Sequence, residues 1–283
     1  MRWGHIAALA AGVAICGAAV AAVDRADKPA GEFATKQAKG KDLWFKAAIR
    51  GKHVGHWHLR ITRTPDRIVL QESYTLRHFR AGVYGAETEI VYTAAERPQP
   101  VRATARTSMD DTKLMDGTLE FLTKVGADGT KRKLVRMTAT GYGSKRGEKF
   151  DPPKELVREV PCPEGWLMFT SALTGLVPQM KPEGNTIDNV VVVEFPDDID
   201  FPELVNMKKG GRLQWTKAAD GDATVIRLTL QPRPDMKPRD HSQVTVDAKG
   251  KVTACVMGKM TLTPCTAEEA AKPVAPEAPK KVD

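Results

Sequence analysis

The alternation of apolar and polar residues between Trp44 and Thr64 is the feature that most constrains the fold. In this stretch, WFKAAIRGKHVGHWHLRITRT, Trp57, Leu59 and Ile61 alternate with polar residues. That period of two is typical of β-strands with one buried face. Gly51 and Gly55 bracket three residues and predict the turn that closes a hairpin. We therefore expect one face of this hairpin to belong to the core and the other to face solvent.

The remainder of the chain predicts more strands of the same kind. Candidate strands cover residues 66–74, 86–93, 101–109, 114–125, 131–140, 187–195, 211–218, 223–231, 241–247 and 251–263. Short turns such as Asp247-Ala248-Lys249-Gly250 make successive strands antiparallel neighbours. Many strands at short intervals, with almost no helix between them, exclude a parallel α/β sheet.

Two segments interrupt this pattern. Residues 141–164 are rich in Gly, Pro and charge and predict a long connection between two halves of the domain. Residues 165–176 carry Trp166, Phe169, Leu173 and Leu176 at helical spacing and predict the one substantial helix. The predicted fold class is therefore mainly β, a curled antiparallel sheet or half-open barrel with one short plug helix.

The first 22 residues have the composition of a signal peptide. Arg2 and His5 precede an alanine-rich apolar run, and Ala19-Val20-Ala21 offers small residues for cleavage. We therefore expect an exported protein, periplasmic or extracellular. Lipidation at Cys16 and an uncleaved membrane anchor over residues 6–23 are the alternatives.

The segments on either side of the predicted β domain differ from it in composition. Residues 23–42 and 266–283 are charged or rich in Ala and Pro without apolar periodicity, and predict a disordered leader and a disordered tail around a single β domain, 43–265. The net charge of +8 is spread along the chain. Such a balance permits contact with an anionic envelope surface but predicts no specific nucleic-acid binding.

Cysteine and histidine supply the candidate bridge and metal sites. After cleavage Cys162, Cys255 and Cys265 remain, and the prolines beside Cys162 and Cys265 suggest rigid segment ends that a disulfide joins. Three free thiols are the alternative. His56 and His58 project from one strand face, with His53 in the adjoining turn, as candidate ligands for zinc or copper; exposed histidines without a metal explain the same spacing.

Sequence motifs for catalysis are missing. Ser144 in GYGSKRG lacks the glycine two positions earlier that a nucleophile elbow requires. The chain also contains no P-loop or dinucleotide-binding glycine motif. We therefore predict no catalytic residue and no cofactor, and keep a metal-dependent hydrolase as an alternative.

The hairpin resembles a known architecture. A strand with Trp44, the spacing Gly51-x-x-x-Gly55 and a strand with Trp57 resemble the start of exported bacterial domains of unknown function. Those domains are similar to the lipoprotein-carrier fold, in which an antiparallel sheet curls around a helical plug. The resemblance covers residues 43–265 and implies an apolar concavity that holds an acyl chain or a hydrophobic peptide.

These observations lead to one expected function and two alternatives. We expect a non-enzymatic envelope protein that binds a hydrophobic or lipid-like ligand in a β concavity. Its candidate contacts are Trp57, Trp166, Phe169 and Leu173. An interaction or scaffold module without a ligand and a metal-dependent hydrolase are the alternatives, and the oligomeric state stays open.

Overall fold

A computed structural model gives the fold of the chain. It describes residues 39–78, 82–110, 112–144, 147–180, 182–196, 206–219, 221–231, 233 and 235–272. The predicted signal peptide, its alternatives, and most of the predicted leader and tail lie outside these residues. Within the described ranges, no helix is both long enough and apolar enough to cross a bilayer.

Strands dominate the described chain. The first half contains β1 Lys39–Ile49, β2 Lys52–Arg63, β3 Arg67–His78, β4 Gly82–Thr93, β5 Pro100–Met109, β6 Thr112–Val125, β7 Lys131–Gly143 and β8 Lys149–Pro161. The second half contains β9 Trp166–Phe169, β10 Thr186–Glu194, β11 Asn206–Lys217, β12 Thr224–Leu230, β13 Arg239–Val246, β14 Val252–Met257 and β15 Met260–Cys265. The helices are α1 Thr170–Gly175, α2 Ala267–Ala270 and two 3₁₀ turns, Val177–Gln179 and Glu183–Asn185.

All fifteen described strands form one sheet that curls without closing. The order is β8-β7-β6-β5-β4-β3-β2-β1-β15-β14-β13-β12-β11-β10-β9. Neighbours are antiparallel except β9 and β10, which run parallel. The pairing of β1 with β15, from Trp44↔Cys265 to Ile49↔Met260, joins the two halves in the middle of the sheet. The predicted mainly β fold class is therefore confirmed.

The predicted hairpin forms, but its turn lies elsewhere. Trp57, Leu59 and Ile61 are buried as expected. The turn is Arg50-Gly51, with φ of 52° and 76°, the pair of positive values typical of a tight type I′ hairpin. Gly55 instead lies inside β2 at a register shift, where an added Cβ would stand 1.9 Å from the carbonyl oxygen of Thr75. This glycine is needed for close strand approach, not for the turn.

Four predicted segments differ from the described structure. Most of the predicted connection 141–164 is β8, an edge strand with one exposed face and one partly buried face, on which Leu156 and Val160 pack against the core. Its edge position tolerates prolines. The predicted helix 165–176 begins as β9 and becomes helical only at Thr170. Lys39–Asp42 of the predicted leader lie in β1, and Thr266 with Glu269 forms a capping box that starts α2 inside the predicted tail.

The helix α1 packs against the inner face of the sheet. An added Cβ on Gly175 would lie 3.2 Å from Leu59 and 3.4 Å from Ile61 and Leu70, so a side chain here would require these neighbours on β2 and β3 to shift. Two long-range hydrogen bonds hold β9 against the first half. Trp166 Nε1 donates to Pro98 O at 2.7 Å, and the Phe169 amide donates to Tyr92 Oη at 3.0 Å. The curled sheet therefore brings the start of α1 over β3 and β4.

Candidate functional site

Two cavities border the first half of the sheet. The outer groove, about 600 Å³, lies across the polar face of β2 to β7 and includes His58, Arg60, Gln71, Glu87, Glu89, Thr104, Arg106, Asp116 and Thr118. Glu72 and Thr88 also border it. The inner cleft, about 280 Å³, lies between the opposite face and the second half. Its lining is Glu72, Tyr74, Thr88, Phe169, Thr170, Ser171, Val193, Glu194, Phe195, Pro196 and Asn206.

The outer groove is larger, but several of its charged groups are already paired. Arg106 lies 3.3 Å from Asp116 and 3.7 Å from Glu87. Gln71 Nε2 donates to Glu89 at 3.0 Å. A ligand that used these groups would compete with existing ion pairs and with water, so the groove is the weaker candidate despite its volume.

Strand alternation places a carboxyl group on the apolar side of β3. Ile68, Leu70 and Glu72 occupy alternate positions and therefore share one face. Glu72 pairs with Leu59 on β2 and with Thr88 on β4. It is partly buried and borders the inner cleft. Burying a charged residue in an otherwise apolar row costs stability unless the charge is paired. Such residues are therefore candidates for functional sites.

The environment of Glu72 opposes its ionisation. Burial raises the pKa of this carboxyl to about 7, against smaller opposing effects of the Ser171 hydroxyl and the Trp57 indole. Ser171 and Trp57 are 1% and 4% exposed. Neither Ser171 Oγ nor Trp57 Nε1 makes a hydrogen bond of standard length and angle within the described chain. Two buried donors therefore lie close to Glu72 without a full hydrogen bond.

Tyr92, on β4, is a second buried titratable group near Glu72. Its phenol is fully buried and accepts the hydrogen bond from the Phe169 amide. Burial raises the pKa of Tyr92, and the nearby charge of Glu72 adds to the effect. Tyr92 therefore remains a neutral phenol that fixes the position of Phe169 at the cleft.

Glu194 is the second carboxylate of the inner cleft. Its environment lowers its pKa, whereas that of Glu72 raises its pKa. Lys208 Nζ lies 2.7 Å and 2.8 Å from its two oxygens, Asn206 Nδ2 donates at 3.2 Å, and His241 Nε2 lies at 3.6 Å. Burial opposes ionisation, but the contacts with His241 and Lys208 outweigh it and keep the pKa of Glu194 below its ordinary value. Glu194 is therefore a carboxylate with partners, unlike Glu72.

Aromatic rings form the apolar walls of the cleft. The rings of Phe169 and Phe195 are 5.9 Å apart, and Phe121 packs edge-on against Phe169 at 6.3 Å. Tyr74 lies 6.3 Å from Trp57 in a similar edge contact. These packed neighbours hold the rings that face the cavity, so the cleft is formed by ordered side chains.

The four predicted ligand contacts occupy different positions. Trp57, Trp166, Phe169 and Leu173 are all buried in the core. Phe169 lines the inner cleft, and Trp57 lies beside Glu72. Trp166 is hydrogen-bonded to the loop before β5, and Leu173 is fully buried in α1. Whether any of them contacts a ligand remains a prediction.

The predicted histidine ligands do not form a metal centre with other side chains of the described chain. His58 Nε2 bonds to Asp42 at 2.8 Å, and its ring stacks on Trp44 at 3.8 Å. His53 Nε2 contacts the Gly55 carbonyl oxygen at 2.9 Å. His56 lies edge-on to His53, and its Nε2 is buried without a partner. The described residues contain no group of three or more His, Cys, Asp or Glu side chains arranged for a metal ion.

The three cysteines of the described chain are free thiols. Cys255 is buried, and Cys162 and Cys265 are partly buried. Cys162 follows β8 at one edge of the sheet, whereas Cys265 ends β15, and strands β1 to β7 lie between them in the strand order. The predicted bridge between Cys162 and Cys265 is absent from this structure.

Sequence reasoning missed most of the inner cleft. Glu72 breaks the apolar row of β3, and that interruption was the available signal. Ser171 and Glu194 reach the same cavity only because α1 and β10 fold over β3. The chain matches no protein-family model, no curated protein and no solved structure.

Proposed function

We propose that this protein is an exported binding protein without catalytic activity, and that its ligand is a small amphipathic molecule held in the inner cleft. One observation carries the proposal. Three aromatic rings, of Tyr74, Phe169 and Phe195, line the same cavity as the partly buried side chain of Glu72. Apolar walls with a few convergent polar groups are typical of small-molecule sites.

The size of the cleft limits the ligand. Its volume of about 280 Å³ is close to the lower end of the roughly 300–1,000 Å³ range of small-molecule sites. Met168, Leu173 and Leu176 are fully buried in the core and do not line this cleft. We therefore infer a ligand with one short apolar chain or ring, smaller than the several acyl chains of a lipoprotein.

Binding of an uncharged fluorescent probe tests the proposal. We expect N-phenyl-1-naphthylamine to bind the purified protein with one probe per chain. Replacing Phe195 with alanine removes a ring from the cleft and should weaken binding about tenfold. Tyr142→Ala is the matched control, because this ring lies on the opposite face, where its hydroxyl donates to Asp116. Absence of probe binding, or equal loss in both variants, would overturn the proposal.

Acid–base catalysis is the second candidate function. Glu72 and Glu194 line one cavity, and their environments displace their pKa values in opposite directions, as in many pairs of catalytic carboxyl groups. Hydrolysis of 4-methylumbelliferyl esters or glycosides by the wild-type protein, abolished by Glu72→Gln, would favour this candidate. Lack of turnover would favour binding alone.

A further inference from the structure

We propose that the ligand of the inner cleft carries an alkylammonium head group, which binds beside Glu72 and Glu194 and against the rings of Tyr74, Phe169 and Phe195. This inference rests on the proposed function, because it names the ligand chemistry of the same cleft. It follows from three independent properties of the lining: its charge, the missing counter-charge of Glu72, and its aromatic surface.

The charge of the cleft differs from that of the whole protein. The chain has a net charge of +8, yet the described lining contains two carboxyl groups and no Lys, Arg or His. An anionic ligand would meet Glu72 and Glu194 at close range and would be repelled. A cationic head group is therefore the charged ligand that this lining fits.

Glu72 lacks the counter-charge that Glu194 already has. Lys208 and His241 contact Glu194, whereas the polar groups that act on Glu72 are the uncharged donors of Ser171 and Trp57. Ser171 is 1% exposed, lines the cleft and has no hydrogen bond of standard geometry among the described residues. A bound cation would supply the missing charge, and the two donors would then stabilise the carboxylate.

The aromatic surface distinguishes an organic cation from a metal ion. Calcium requires six to eight oxygen ligands, but much of this lining is aromatic or aliphatic. Ring faces attract ammonium groups by cation–π interaction, and aromatic residues commonly surround quaternary ammonium ligands. Phe169 and Phe195, with centroids 5.9 Å apart and planes inclined by 31°, offer two such neighbouring surfaces.

Calorimetry with a matched pair of probes tests the inference. Choline carries the cationic head group, and 3,3-dimethyl-1-butanol has the same shape without the charge. We expect choline to bind the wild-type protein at least about tenfold more tightly than its neutral isostere. Glu72→Gln should remove most of this preference. The matched control is Glu87→Gln, which removes an exposed carboxyl of the outer groove and should leave the preference unchanged.

The outcomes separate this inference from the function on which it rests. A tenfold preference for choline that depends on Glu72 supports it. Equal affinity of the two probes overturns the ammonium inference and leaves the proposed function intact. Binding of N-phenyl-1-naphthylamine without any binding of choline has the same meaning. If none of the three probes binds, both proposals are overturned.

Discussion

Replacing Glu72 with glutamine should stabilise the protein at neutral and alkaline pH. The carboxyl group has an ordinary pKa of 4.5 in the unfolded chain and about 7 in the folded protein. The unfolded chain therefore releases this proton first. As pH rises from about 4.5 to about 7, Glu72 lowers the free energy of unfolding, and above that range the penalty is constant. The rise in this pKa from 4.5 to about 7 corresponds to about 3 kcal/mol, because a tenfold change in an ionisation equilibrium is worth about 1.36 kcal/mol.

Urea denaturation followed by tryptophan fluorescence measures this effect. The difference in unfolding free energy between Glu72→Gln and wild type should be near zero at pH 4.5 and reach about 3 kcal/mol at pH 8. Glu87→Gln is the control. Its carboxyl is 71% exposed and paired only across 3.7 Å with Arg106, so its effect should be small at every pH. A Glu72→Gln difference that does not change with pH would refute the reasoning.

Three further predictions follow from single contacts. Gly55→Ala should cost at least about 2 kcal/mol in chemical denaturation, because its Cβ would stand 1.9 Å from a carbonyl oxygen of β3; Gly221→Ala, with no atom within 4 Å, should cost little, and equal losses would contradict the argument. Tyr92→Phe should cost about 1–2 kcal/mol because the Phe169 amide loses its acceptor; unchanged thermal stability would contradict this. Choline affinity, measured by calorimetry, should rise about tenfold or more from pH 5.5 to 8 as Glu72 ionises; Glu72→Gln should remove that rise, and its persistence would contradict the assignment to Glu72.

The last of these predictions depends on every titratable group near Glu72. Tyr92 faces it from β4, and Glu194 lines the same cleft from β10 with His241 and Lys208 in contact. Tyr92 stays neutral throughout the range, because burial raises its pKa. The variant Glu194→Gln removes the second carboxylate and leaves Lys208 and His241 in place. The pH dependence that belongs to Glu72 is therefore the part that Glu72→Gln removes and Glu194→Gln leaves unchanged.

Local patterns predicted the fold class because alternation along a strand depends only on which face is buried. Trp57, Leu59 and Ile61 show this directly. The turn was placed wrongly because Gly55 resembles a turn residue but serves the close approach of β2 and β3. Strand β8 was missed because it is an edge strand with an only partly buried inner face, so prolines and charged residues outnumber its apolar positions. The helix was predicted too long because the buried strand β9 is apolar at every position.

The inner cleft was harder to predict because it is formed by residues far apart in sequence. Glu72, Ser171 and Glu194 belong to β3, α1 and β10, and only the curl of the sheet brings them to one cavity. No spacing rule connects such positions. A charged residue at an apolar position of β3 was a usable signal, but it did not identify the residues that complete the site.

The protonation of Glu72 in the free and ligand-saturated protein shows whether a cationic head group binds beside this carboxyl group. A titration of its side-chain ¹³C resonance by NMR, without and with saturating choline, measures both states. We expect a midpoint near pH 7 in the free protein, because burial raises this pKa to about 7, and a clearly lower midpoint with choline bound. A midpoint near 4.5 in the free protein, or the same midpoint in both states, would contradict this expectation.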